Sequence, residues 1–307
     1  MREVWTAAVD AHVRFGVAVS GGPDSLALLL LAHGFNRDQF EAVTVDHRLR
    51  PESGEEAARV GAICARLGVR HTILPVEVAS GNMHDAAREA RYRAMGEWAL
   101  GRGMYGILTA HHADDQAETV LMRLNRGSGP GGLCGIRAMQ PFPSGVSAIR
   151  PLLQWRKAEL EAIVAESGLD PVRDPSNEDP RFDRARIRAA IGEAGWLDAV
   201  AIARSAQYLQ QADLALWTYA TRDYERTVEY EGDAVVWRPD DIPRAARLIC
   251  VMRALAEAGG DDFSMADAAR LHDAVMAGGK GGTLGGVELR FRKGEWRFAP
   301  EPPRRNG

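Results

Sequence analysis

At 307 residues the chain is long enough for two or three domains. Its 46% hydrophobic and 26% charged content is that of a globular protein, and its longest early apolar run, Leu26 to Ala32, is far too short to cross a membrane. A net charge of −4 predicts no general attraction to nucleic acid, and three widely spaced cysteines (Cys64, Cys134, Cys250) argue against a disulfide framework, a cysteine-only zinc site or an iron–sulfur cluster. The first residues lack the apolar core of a signal peptide, so a reducing cytoplasm is the expected compartment. Lysine stands at only three positions, 157, 280 and 293, and arginine supplies the other basic residues. Arginine suits phosphate forks and stacking on bases, but a GC-rich genome produces the same bias.

Residues 1–14 have the apolar spacing of a short helix. Gly16 to Val19 then reads as a buried strand, followed by the turn Ser20-Gly21-Gly22-Pro23-Asp24-Ser25 and an apolar helix. The glycines allow a tight turn and close approach of a ligand, and proline is tolerated in a first helical turn. Such a turn aims backbone N–H groups and a helix N-terminus at one point, which is an anion site suited to phosphate. A second strand, Phe40 to Asp46, ends in His47, and Ser53 is the expected cap of a helix that stops at Gly68. His71 to Val78 is a third strand, and residues 84–100 form an arginine-rich helix. Residues 105–110 are a fourth strand ending in His111-His112, with a helix from Ala113 to Asn125. This alternation predicts an α/β fold, a parallel sheet with helices on both faces, whose ligands bind beyond the carboxyl ends of the strands. The polar clusters Ser20 to Ser25, Asp46-His47 and His111 to Asp115 all fall at such ends.

Further on, Gly127 to Gly132 has the composition of a mobile loop, a lid or a linker, and Ala148 to Leu153 reads as an edge strand limited by Pro151. Residues 156–167 form a helix, and 170–180 are turn-rich and charged. From Trp196 to about Thr227 one long helix is expected, with Ile202, Leu209, Leu216 and Tyr219 among its buried residues. A strand near 235–237, helices over 243–257 and 265–276, and a hairpin-like region over 282–298 make a small α+β domain. The expected division is a catalytic domain over 1–190, a linker helix over 191–227, a small tRNA-binding domain over 228–300 and a disordered tail over 301–307.

In the cluster after the fourth strand, two histidines, two aspartates and a glutamate lie within eight residues. Helix capping accounts for one aspartate. A carboxylate pair there can hold Mg²⁺ beside phosphates, and a histidine can take a proton. Arg88, Arg91 and Tyr92 share one helical face, which fits either a solvated surface or RNA. Arg184, Arg186 and Arg188 fit either pairing with nearby aspartates or clamping of phosphates.

The stretch SGGPDS resembles the pyrophosphate loop of the N-type ATP pyrophosphatases, which split ATP into AMP and pyrophosphate. Together with VDHRLRPES (45–53), AAREARYRAM (86–95), TAHHADDQAETVLMRLNRGSGPGGLCGI (109–136), RPLL (150–153) and DPSNEDPRFDRARIR (174–188), it resembles the tRNA(Ile)-lysidine synthase family. The resemblance is strong over about residues 13–190 and visible to residue 298. It implies ATP and Mg²⁺ as cofactors. The implied reaction adenylates the wobble cytidine of a tRNA(Ile) with a CAU anticodon, after which free L-lysine displaces AMP to give lysidine. It points to Asp24 and Asp115 as essential and to an arginine in 184–188, of which Arg184 is the candidate; Asp24 and Asp115 would hold the metal, and Asp115 or His111 would accept the proton of the lysine amine. Ser20, Gly21, Gly22, Pro23, Asp24, Ser25, Asp46 and His47 would bind the nucleotide, and Arg88, Arg91, Tyr92, Arg186 and Arg188 the RNA. No membrane partner is implied, and a homodimer is compatible with it. Two departures stand out: Ala185 occupies a position where the family commonly has asparagine, and the expected architecture is the short one, without a further C-terminal domain. The alternatives are a tRNA thiolase of the same superfamily, which normally needs the paired cysteines this chain lacks, and a non-catalytic RNA- or nucleotide-binding module.

Overall fold

The computed structural model describes residues 13–48, 52–76, 83–142, 144–172 and 183–302. The predicted N-terminal helix up to residue 12, the end of the third strand beyond Val76, the charged turns over 173–180 and the tail from residue 303 lie outside these residues. Packing divides the chain into two units, residues 1–210 and 211–307, and the boundary falls inside a long helix.

The first unit is built on a six-stranded sheet in the order β3-β2-β1-β4-β6-β5. Its strands are β1 (Phe15–Ala18), β2 (Phe40–Asp46), β3 (His71–Pro75), β4 (Gly106–Leu108), β5 (Met139–Pro141) and β6 (Ser147–Ile149). All neighbours are parallel except β5, which runs antiparallel to β6. The helices are α1 (Pro23–Asn36), α2 (Ser53–Arg66), α3 (Met83–Gly101), α4 (Ala113–Asn125), the single turn α5 (Pro130–Leu133), α6 (Lys157–Ser167), α7 (Asp183–Glu193) and α8 (Ala199–Thr227).

Successive strand residues point to opposite faces of the sheet, so each strand feeds two cores. Phe15, Val17, Ala42, Leu108 and Ile149 pack with α1, α2 and α6 through Leu26, Leu29, Val60, Cys64, Leu160 and Val164. Val43, Ile107 and Ala148 pack on the other side with Met95 and Trp98 of α3 and with Phe142. Burial on both faces explains why these strands read as apolar runs rather than alternating ones. Leu26, Leu28 and Leu29 are fully buried, each contributing about 1.5–3 kcal/mol. Gly16 is required by packing: a Cβ there would lie 2.6 Å from the Trp98 ring.

Three expectations are corrected. The 148–153 segment is not an edge strand. β6 stops at Ile149, before Pro151, and sits between β4 and β5; the edge is β5, which carries Pro141. Ser53 does not cap α2; its hydroxyl donates instead to Asp46 Oδ1 at 2.7 Å. The glycine-rich stretch after α4 is not a plain loop: Pro130–Leu133 form the helical turn α5, and Arg123 Nη1 donates to the carbonyls of Gly132 (2.8 Å) and Gly135 (2.9 Å).

The buried residues of α8 also differ from expectation. Ile202, Leu209 and Leu216 are half-buried and Tyr219 is exposed; Ala203, Ala206, Ala220 and Tyr224 are buried instead. Small side chains let that face approach its neighbours closely, and periodicity arguments that weight large apolar residues overlook them.

The second unit carries a five-stranded antiparallel sheet, β7-β8-β11-β10-β9. Its strands are β7 (Val228–Glu231), β8 (Ala234–Trp237), β9 (Gly281–Leu284), β10 (Val287–Arg292) and β11 (Glu295–Pro300), with helices α9 (Arg244–Glu257) and α10 (Met265–Met276). Tyr224, Trp237, Trp296 and Phe298 fill its core. β7 was not expected. It is exposed at three of its four positions, and pairing with β8 defines it rather than its own pattern. Among the described residues no helix is long and apolar enough to cross a membrane.

Candidate active site

The strand order reverses at β1, which lies between β2 and β4. Crevices at the carboxyl ends of strands beside such a reversal are the ligand sites of open α/β sheets. The β1–α1 turn lies there. Gly21 has φ +88°, a conformation that favours glycine, and its carbonyl accepts from Val172 N at 2.9 Å. A Cβ at Gly21 would lie 3.2 Å from both Val60 and Val172. Ser25 Oγ accepts from Ser20 N (3.1 Å) and donates to the Gly22 carbonyl (3.0 Å), which fixes the turn from within. The first amides of α1 have no acceptor within the helix, so the turn presents N–H groups to an anion.

Asp24 stands in the first turn of α1. Its Oδ1 is buried and has no hydrogen-bond partner among the described residues. Its Oδ2 lies 3.6 Å from His112 Nε2. His112 caps α4: its Nδ1 accepts from Asp115 N at 3.4 Å, while Asp115 Oδ2 accepts from His112 N at 3.1 Å. Asp115 Oδ2 is also 3.5 Å from His112 Nε2. The β1–α1 and β4–α4 junctions therefore bring Asp24 and Asp115 to one imidazole nitrogen. Burial works to lower the His112 pKa, but the facing carboxylate of Asp24 and the charges of Asp115 and Asp114 outweigh it and raise the pKa. Asp114 lies 3.6 Å from His112 Nδ1 and also accepts from Lys157 N (2.8 Å) and Arg156 (3.1 Å) at the start of α6.

His111 has the opposite environment. Burial and the nearby charges of Arg150, Arg88, Arg184 and Arg91 push its pKa down to about 3, so it is neutral near pH 7. Its Nδ1 lies 3.1 Å from Thr109 Oγ1. The arginines make a cationic wall. Arg88 and Arg91 sit over the Tyr92 ring at 4.8 and 5.5 Å, and Tyr92 packs on Phe142. Arg150 is only 4% exposed, donates to the Arg137 carbonyl at 2.6 Å and keeps a buried Nε with no partner among the described residues.

Helix α7 supplies the other wall. Arg184 donates to Glu118 Oε2 (2.6 Å) and Asp115 Oδ1 (3.1 Å), and Arg188 donates to Glu118 Oε1 (2.6 Å). Glu118 is 1% exposed. This carboxylate holds both arginines, and the sequence reading gave it no role of its own. Its spacing three residues after Asp115 on one helical face was the available signal. Arg186 points elsewhere and pairs with Asp183.

Asp46 and His47 follow β2. Asp46 is occupied with its own turn, accepting from Ser53 Oγ and from Arg48 N (2.9 Å); these hydrogen bonds lower its pKa. His47 Nδ1 is buried without a partner among the described residues, and burial and the Arg91 charge lower its pKa. The three cysteines are free and buried, and burial pushes the Cys64 thiol up to about 11 and that of Cys250 up to about 12. The folded protein is therefore expected to resist iodoacetamide at pH 8 and to take up three labels once unfolded. Fast labelling of any cysteine in the native state, read by mass spectrometry, would contradict this.

An anion-binding turn at a sheet's switch point, with paired carboxylates beside it, defines a nucleotide-binding α/β enzyme of the pyrophosphate-loop class. Residues 2–194 match the family model for the PP-loop domain, an ATP-binding family. The fold is similar to that of the U34-tRNA thiolase NcsA from Methanococcus maripaludis, with a TM-score of 0.53 at 16% identity over 65% of this chain and 73% of that one. The tRNA(Ile)-lysidine synthase of Novosphingobium aromaticivorans is 42% identical over 97% of this chain and 92% of its own. That of Zymomonas mobilis is 38% identical over 95% and 90%. The chain belongs to the tRNA(Ile)-lysidine synthase family, whose members are ligases forming a C–N bond.

Proposed function

We propose that the chain joins free L-lysine to C2 of the wobble cytidine in a tRNA(Ile) with a CAU anticodon, through an adenylated cytidine, releasing AMP and pyrophosphate. The observation that carries this reading is the convergence of Asp24 and Asp115 on His112 at the switch point, with Asp24 Oδ1 buried and unpartnered among the described residues. An orphaned buried carboxylate oxygen beside a second carboxylate fits Mg²⁺, which takes a few carboxylates and completes its shell with phosphates and water. When bound there it would neutralise charge on the ATP phosphates.

The chain's own groups do the rest. The Ser20–Ser25 turn and the α1 N-terminus hold the pyrophosphate portion of ATP and stabilise its charge as it leaves. The cytidine 2-oxygen attacks the α-phosphorus, so an oxygen that leaves poorly becomes part of AMP, which leaves well. The lysine amine then attacks C2 and sheds a proton, for which Asp115 and the neutral His111 are the candidates. The arginines around His111 oppose its protonation until an anion has bound beside them. Arg184 orients Asp115, and Arg188 holds Glu118 in line. Arg88, Arg91, Tyr92 and Arg186 are suited to RNA phosphates and bases, and the unit from residue 211 onward to docking of the tRNA body. Asp46 and His47 would border the nucleotide. The reaction is a cytoplasmic one.

The test supplies purified protein with ATP, Mg²⁺, labelled lysine and a tRNA(Ile) transcript bearing CAU. Lysine incorporation is expected, dependent on the wobble cytidine, with one AMP and one pyrophosphate per lysidine. Absence of incorporation at every Mg²⁺ and salt concentration would overturn the proposal.

A further inference from the structure

The long helix α8 ends its course through the first unit at Gln210, and that side chain has a specific task. Gln210 Nε2 donates to the carbonyls of Cys134 (2.8 Å) and Ile136 (3.0 Å). Gln116, 1% exposed on α4, donates to the same two carbonyls, at 3.4 and 3.0 Å, and its Oε1 accepts from Ile136 N. Two amide groups thus bring four N–H bonds to two carbonyls, which together offer four lone pairs. The match is complete only when both partners are donors.

Gly135 lies between the gripped carbonyls. It has φ +63°, and a Cβ there would lie 2.3 Å from Gln116 Oε1. Glycine lets the segment lie directly on the Gln116 amide. Gln116 is the residue after Asp115 and two before Glu118, in the first turn of α4. A continuous chain of hydrogen bonds therefore runs from α8 through residues 134–136 to the turn that carries the site's carboxylates.

We infer that Gln210 is a positioning residue: from the long helix it clamps the Cys134–Ile136 segment onto Gln116 and so fixes the first turn of α4 and Asp115. The assignment of Asp115 to the chemistry rests on the function proposed above; the clamp itself does not.

The test compares Gln210→Glu, Gln210→Ala and Gln210→Lys in the full chain. Glutamate has glutamine's shape but puts acceptors against two carbonyls, whereas a lysine ammonium donates to both. Hydrogen exchange over residues 113–119 and 127–136 should rise most in Gln210→Glu, less in Gln210→Ala and least in Gln210→Lys. The kcat for lysidine formation should fall in that same order, by about tenfold or more for Gln210→Glu, the scale of a buried hydrogen-bonded pair lost. KM for ATP should stay within about twofold, since uniform binding is untouched. A side chain that merely fills space would give the reverse ranking, with glutamate mildest and alanine worst, and that result overturns the inference. So does raised exchange over 127–136 with residues 113–119 and kcat unchanged. If the unmodified chain makes no lysidine, the function proposed above fails, and the exchange ranking still decides the clamp.

Discussion

Asp24→Ala and Asp115→Ala are each expected to abolish lysidine formation while the protein still unfolds cooperatively. Asp24 brings a buried carboxylate oxygen that the described protein residues leave without a partner, so its removal costs the fold little. Asp115 has a second duty as the reciprocal half of the α4 capping box, and its loss should cost about 1 kcal/mol of stability as well. Turnover and thermal melting measured together separate the two duties. Rates near those of the unmodified chain in either variant would remove that residue from the mechanism.

The second large effect is expected at Glu118. Glu118→Gln preserves shape but replaces a charged acceptor of two arginines with a neutral amide. Charge-assisted hydrogen bonds contribute about 1.5–3 kcal/mol each, so misplacement of Arg184 should lower kcat by roughly 10- to 100-fold. The stability change should be smaller, because both arginines are about two-fifths exposed and water takes over part of the lost interaction. A double-mutant cycle with Arg188→Ala should be strongly non-additive, since both changes strike one network. Additive effects would mean that Arg188 works independently of Glu118.

Much of the first unit was legible because its signals are local. The β1–α1 turn declares itself through glycine, proline and an apolar strand, and α4 begins and ends where the sequence predicts. What escaped depended on partners distant in sequence. β6 became an interior strand only because β5 folds back beside it, and β7 exists because β8 offers it a ladder. Ser53 had two possible partners, a backbone N–H of its own helix to accept from or a carboxylate at the end of β2 to donate to, and only the fold brings the second within reach. Glu118 looked like one acid among several until α7 returned beside α4 with two guanidiniums. The site's residue types were readable; the division of labour among them was not, because it is set by contacts across some 70 residues of chain.

The placement of β1 beside β4 also constrains when the molecule can work. Asp24 follows β1 and Asp115 precedes the body of α4, yet Phe15 finds its register partner in Gly106, with two whole strand–helix repeats between them. Parallel pairings of such long separation must pay loop-closure entropy before any contact rewards them. The first three strands alone carry Asp24 without Asp115. The two carboxylates meet only when the fourth strand docks, and the arginines that hold Asp115 and Glu118 arrive later still with α7. The chemistry proposed for this site therefore draws on elements from β1 through α7, and a chain ending before α7 is expected to make no lysidine.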